Sequence, residues 1–138
     1  TPYLGPVQVV DARNCGSLIF PEQIKDQLRE GIQRVIFRTY DWAPQDAWDG
    51  EFTAIDASVI IMLNRRGVRL VGIDTPSIDP MESKTLDAHH AVRRSGMAIL
   101  EGLVLDDVKP GLYELIALPL KLENLDASPV RAILRELP

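Results

Sequence analysis

The alternation of short, β-branched apolar runs with amphipathic helical stretches is what most constrains the fold of this chain. Val7–Ala12 (VQVVDA) reads as a strand and Arg13–Gly16 as the loop that follows it. Pro21 suits a first helical position with Glu22 beside it, and Ile24 and Leu28 lie on one stripe, so Pro21–Glu30 reads as a helix stopped by Gly31. Arg34–Thr39 (RVIFRT) is a second strand. Asp56 is an N-cap for a helix through Arg66, with Val59, Ile60 and Leu63 inward and Gly67 closing its end. Val68–Ile73 (VRLVGI) is nearly continuous apolar chain, the pattern of a strand covered on both faces. Strand, helix, strand, helix, strand in that order implies βαβ units and a partly parallel sheet.

The second half changes character. Asp74–Lys84 is a polar loop with two prolines, and Thr85–Ser95 a short helix with Thr85 or Asp87 near its start. Met97–Leu105, Gly111–Lys121 and Val130–Leu137 read as three strands joined by short loops, hence antiparallel, with Pro119 suited to an edge or a bulge. Between the halves, Tyr40–Phe52 carries both tryptophans, Pro44 and Gly50 and reads as a surface loop or lid. The expectation is one α/β domain with a mixed sheet over residues 1–138.

Composition narrows the function. With 46% hydrophobic and 25% charged residues the chain is of ordinary globular type. The longest apolar runs are too short to span a bilayer. A formal charge of -5 with scattered basic residues excludes a duplex-binding surface. One cysteine, Cys15, excludes an internal disulfide and fits a reducing compartment, so the cytoplasm is expected. Nothing ties Cys15 to a histidine, and phosphate-binding glycine loops and nucleophile elbows are absent.

Three places could carry chemistry. The loop Asp74-Thr75-Pro76-Ser77 leaves the C-terminal end of the apolar strand, the edge where open α/β sheets bind ligands, although Asp, Pro and Ser form turns in any context. His89 and His90 are the only histidines, and on a helix adjacent residues point apart, so one of them at most enters a given site. Glu101 interrupts an apolar strand, where a carboxylate needs a partner. Residue type alone leaves two partners open, a metal shared with a histidine or an arginine. Two ligands do not complete a catalytic metal site, which usually takes three protein ligands and an open position.

Several runs resemble the bacterial kynurenine formamidases (arylformamidases) of the cyclase-like metal hydrolase family. They are GIDTPSIDP (Gly72–Pro80), ESKTLDAH (Glu82–His89), MAILEGLVLDDV (Met97–Val108), YELIALPLK (Tyr113–Lys121) and LDASPVRA (Leu125–Ala132). The likeness starts at Tyr3-Leu-Gly-Pro6. GIDTPS and LEG also occur across the wider family, whereas the DAH and LDASPVRA matches point to the formamidase branch. The resemblance implies a swivelling β/β/α domain, a homodimer, and a site holding two zinc ions or related divalent metals. It carries metal-ligand roles onto His89 and Glu101 and none onto His90.

The family's HTGTHxDAPxH signature, which supplies two further histidine ligands, a shared aspartate and the catalytic histidine, lies upstream of Tyr3–Pro6 in that pattern and is not in this sequence. The expectation is therefore a chain lacking the N-terminal part of the domain, holding half a site and inactive alone. The activity implied is hydrolysis of N-formyl-L-kynurenine to L-kynurenine and formate, a step of tryptophan catabolism, with metal-bound water as the nucleophile. Asp74, Thr75 and Ser77 would line the pocket or support the ligands, and Trp42 or Trp48 would stack on an aryl substrate or pack on its own domain. Two alternatives remain: another amide hydrolase of the family, such as one that opens isatin, and a noncatalytic binding domain of the same fold.

Overall fold

A computed structural model describes all residues, Thr1–Pro138. Eight strands and three helices run β1 (Leu4–Asp11), β2 (Leu18–Ile19), α1 (Pro21–Ile24), β3 (Arg34–Arg38), β4 (Ala54–Ile55), α2 (Ala57–Arg65), β5 (Leu70–Ile73), α3 (Asp87–Ser95), β6 (Ala98–Leu100), β7 (Gly111–Ile116) and β8 (Ile133–Glu136). Six strands form one sheet in the order β6-β5-β3-β1-β7-β8, and β2 and β4 form a small parallel pair beside it. From β1 through β3 and β5 to β6 all pairings are parallel, while β7 runs antiparallel to both β1 and β8. The α/β class and mixed sheet expected from the sequence are present.

Period-two alternation sends side chains to two cores. Val35, Phe37, Val71 and Ile73 join Val59, Ile60 and Leu63 of α2 and Ala88, Ala91 and Val92 of α3 on one face. Ile36, Leu70 and Leu100 join Val7, Val9, Leu105, Leu115 and Ala117 on the other. All four residues of β5 are buried, so its uninterrupted apolar run reflects cover on both faces. In α2 the Asp56 side chain accepts from Ser58 N–H, and Gly67 leaves the helix at φ +83°, as its position in the sequence requires.

The structure corrects several sequence expectations. The helix over Pro21–Glu30 stops at Ile24 and continues only as a 3-10 turn over Lys25–Gln27. The Gln8 side chain donates to Gln27 O at 2.6 Å and accepts from Arg29 N–H at 2.9 Å, which draws the chain out of the helical path. The strand over Met97–Leu105 shortens to β6, because Gly102 turns at φ +65°. After that turn Gly102 N–H donates to Thr75 O and Leu103 N–H to Ile73 O, across the end of β5. Nor does β6 join an antiparallel group: it is parallel to β5 at the opposite edge from β7 and β8. Pro119 follows the end of β7 rather than lying within it.

Gly72, inside the GIDTPS run, sits where a side chain has no room. A Cβ there would stand 2.8 Å from Ile36 Cγ1 and 3.2 Å from Leu103 Cδ1. Ile36 is buried in the sheet and cannot swing clear. Gly72→Ala is therefore expected to lower stability by about 1–3 kcal/mol in denaturant titration. The loss should be smaller than the sum of the two single effects when combined with Ile36→Ala, which removes the clashing atom. Strict additivity would show that the crowding is not between these two positions.

Candidate metal centre

The site is built at the C-terminal ends of β5 and β6, where parallel α/β sheets leave a crevice. Asp74 follows β5 directly and is buried; its carboxylate accepts from Thr39 N–H and hydroxyl and from Tyr40 N–H, the hydroxyl at 2.7 Å. Burial pushes the Asp74 carboxyl above the ordinary range, the hydrogen bonds from Thr39 and Tyr40 opposing that shift. Thr75 Oγ1 donates to Ser77 O, and Ser77 Oγ accepts from Asp79 N–H. These three loop residues thus tie β5 to β3 and shape the turn that leads to Asp79.

Ile78 anchors the loop. Its side chain is fully buried, its carbonyl accepts from Ile55 N–H of β4 at 2.7 Å, and its own N–H donates to Glu101 Oε1 at 2.9 Å. Asp79 comes next and its side chain is 4% exposed. Its Oδ1 accepts from Ala88 N–H at 2.9 Å, and its Oδ2 accepts from His89 N–H at 3.0 Å. Those donors belong to the first turn of α3, whose N-cap Leu86 makes no side-chain cap and adopts a left-handed backbone at φ 50°. The same Oδ2 lies 2.7 Å from His89 Nδ1.

The other ring nitrogen, Nε2, stands 3.2 Å from Glu101 Oε1. Glu101 lies just past β6 and is more exposed than its place in an apolar run suggested, with 30% of its side chain accessible. No arginine or lysine lies within ion-pair distance of it; its neighbour is His89 Nε2. The arginine that residue type left open as a partner is therefore not the one this fold supplies. His90 is exposed. Both tryptophans are exposed; Trp48 touches its own domain, edge-on to Phe52 at 6.2 Å with its N–H on Met81 Sδ. Burial raises the Cys15 thiol, which leaves it unactivated.

No family model matches the chain. Two solved structures resemble it at 31% sequence identity: a potential metal-dependent hydrolase with cyclase activity, with a TM-score of 0.87 over 99% of this chain and 68% of that one, and a predicted metal-dependent hydrolase from Bacillus stearothermophilus, with 0.84 over 97% and 64%. The chain belongs to the cyclase-like family of metal-dependent hydrolases. An isatin hydrolase bound to the product analogue thioisatinate shares the fold at 24% identity, with a TM-score of 0.78 over 95% of this chain. This chain spans between 59% and 68% of the length of the three.

A divalent metal fits the donors present. Two donors each about 2.0–2.1 Å from a tetrahedral ion stand roughly 3.3 Å apart, and Nε2 of His89 and Oε1 of Glu101 stand 3.2 Å apart. The same spacing suits a hydrogen bond when no cation intervenes. No third His, Cys, Asp or Glu converges with them to form a metal-holding group. Both residues line an open groove of about 820 Å³, together with His90, Arg93, Leu120, Leu122 and Leu125. Asp74, Thr75 and Ser77 are not among its lining residues.

Asp79 is the participant that residue-type reasoning missed. Its sequence signal was slight, an Asp-Pro pair ahead of a helix whose own N-cap position holds an apolar leucine. Asp74→Ala leaves Thr39 N–H and Tyr40 N–H without their acceptor and should cost about 1–3 kcal/mol of stability. Metal affinity of the folded variant, measured by chelator competition, should change far less; a large loss would move Asp74 from scaffold to site.

Proposed function

We propose that this chain is the part of a metal-dependent arylformamidase that supplies His89 and Glu101 as ligands. Its reaction on this reading is hydrolysis of N-formyl-L-kynurenine to L-kynurenine and formate. The observation that carries the reading is the pairing of His89 Nε2 with Glu101 Oε1, with no arginine or lysine within ion-pair distance of Glu101, in the lining of one groove. The formamidase-type runs around both residues support the substrate. The chain belongs to a hydrolase family, and hydrolysing a formamide at neutral pH needs an activated water and a stabilised oxyanion.

When bound, a divalent ion of the zinc type supplies both by lowering the pKa of water and polarising the formyl oxygen. The chain's own residues do the holding. His89 presents an imidazole nitrogen to the groove while Asp79 occupies the other. Glu101 presents one carboxylate oxygen, kept in place by Ile78 N–H. Leu120, Leu122 and Leu125, exposed and in the lining of the same groove, offer an apolar surface for an aryl group. A homodimer with two metal ions per site completes the proposal.

Opening of isatin is the second reading, favoured by the shared fold of the isatin hydrolase. Steady-state turnover of N-formyl-L-kynurenine and isatin by the full-length protein separates the two, with the formamide expected to be the better substrate. His89→Ala and Glu101→Gln should each abolish stoichiometric metal binding and bring the rate down by at least about a hundredfold. A protein that binds no metal and keeps its function in both variants would be a binding domain on a hydrolase fold.

A further inference from the structure

We propose that Asp79 is the positioning residue that fixes the tautomer of His89, holding the proton on Nδ1 and leaving the Nε2 lone pair for the metal. The inference rests on the reading of His89 as a ligand. It is carried by a carboxylate with no freedom to turn. Asp79 is nearly fully buried, and both of its oxygens are already committed to backbone N–H groups of Ala88 and His89 at 2.9 and 3.0 Å. Its own N–H is held by Ser77 Oγ at 3.1 Å. The oxygen that faces Nδ1 at 2.7 Å can only accept.

Glu101 competes for the same proton from the other side of the ring. It stands farther off, at 3.2 Å, and its side chain is 30% exposed against 4% for Asp79. The shorter, drier contact holds the proton. A helix cap alone would not need this arrangement, since one oxygen satisfies a first-turn N–H. Asp79 meets two first-turn donors and the ring together, and so sets the ring plane as well as the start of α3.

Asp79→Asn tests the idea only in part, because its amide can sit in two arrangements. With the amide nitrogen toward His89, it donates to Nδ1 and pushes the ring proton onto Nε2. With the amide reversed, the nitrogen meets Ala88 N–H while the oxygen still accepts from His89 N–H and Nδ1–H, so Asp79→Ala, which offers no acceptor in either arrangement, is the deciding variant. In metal-free full-length protein at alkaline pH, nitrogen-15 shifts of His89, assigned by their loss in His89→Gln, should report the Nδ1–H tautomer in the wild type. In a folded Asp79→Ala variant they should report the Nε2–H tautomer, and metal affinity should fall about 10–100-fold.

An Nε2–H tautomer in the wild type overturns the proposal without any variant. So does a folded Asp79→Ala protein that binds metal as tightly as the wild type. If the wild type binds no metal through His89 and Glu101, the ligand reading fails instead, while the tautomer measurement still decides the role of Asp79.

Discussion

A carboxylate that is almost wholly buried must have its acceptor positions filled, and the donors that fill those of Asp79 organise the site. They are two N–H groups at the start of α3 and, on this geometry, the ring of His89. Without Asp79 the first turn of α3 has no cap, because Leu86 at the N-cap position has nothing to offer. The dependence runs backward along the chain as well. Asp79 is placed by Ile78, which is buried and bonded to β4, and the loop before it is pinned to β3 through Asp74. Strand, loop and helix are therefore one hydrogen-bonded unit.

Sheet topology brings the second donor to that unit. Because β6 lies beside β5 and parallel to it, both strands end at the same edge, and the residue after β6 arrives next to the loop after β5. Ile78 N–H then takes Glu101 Oε1. The turn at Gly102 follows at once and sends Leu103 under the sheet against Gly72. Glu101 is thus held between a strand end and a glycine turn, which leaves its carboxylate facing the groove instead of the core. Had β6 run on to Leu105, period-two alternation would have buried it among Ile99 and Leu103.

Much of the fold was legible because its signals are local. The Asp56 cap, the Val59–Ile60–Leu63 stripe, Gly67 and the apolar β5 all reflect the physics of a single element. What failed depends on distant partners. The end of α1 is decided by Gln8, about twenty residues earlier, and a helical stripe from Ile24 to Leu28 could not show it. The short strands β2 and β4, two residues each, carry no periodicity to detect. At the site, Glu101 stood out as a carboxylate awkward in an apolar run, and His89 only as one of two histidines. Asp79 did not, because an aspartate in a polar loop is ordinary until the fold buries it.

The arrangement also bears on how a metal would meet this chain. In small zinc modules the unfolded ligands gather only when metal binds, so binding and folding share one free energy. Here the geometry of the two candidate donors is set before any cation is considered, since Asp79 and Ile78 N–H hold His89 and Glu101 through bonds internal to the chain. The ordering entropy of those two side chains falls on folding and is offset by the cores on either face of the sheet. Binding then has only to desolvate donors already 3.2 Å apart. On this account the fold's stability determines how well the two candidate donors are kept in register, and a weakened helix start at α3 would loosen His89 before it unfolded the domain.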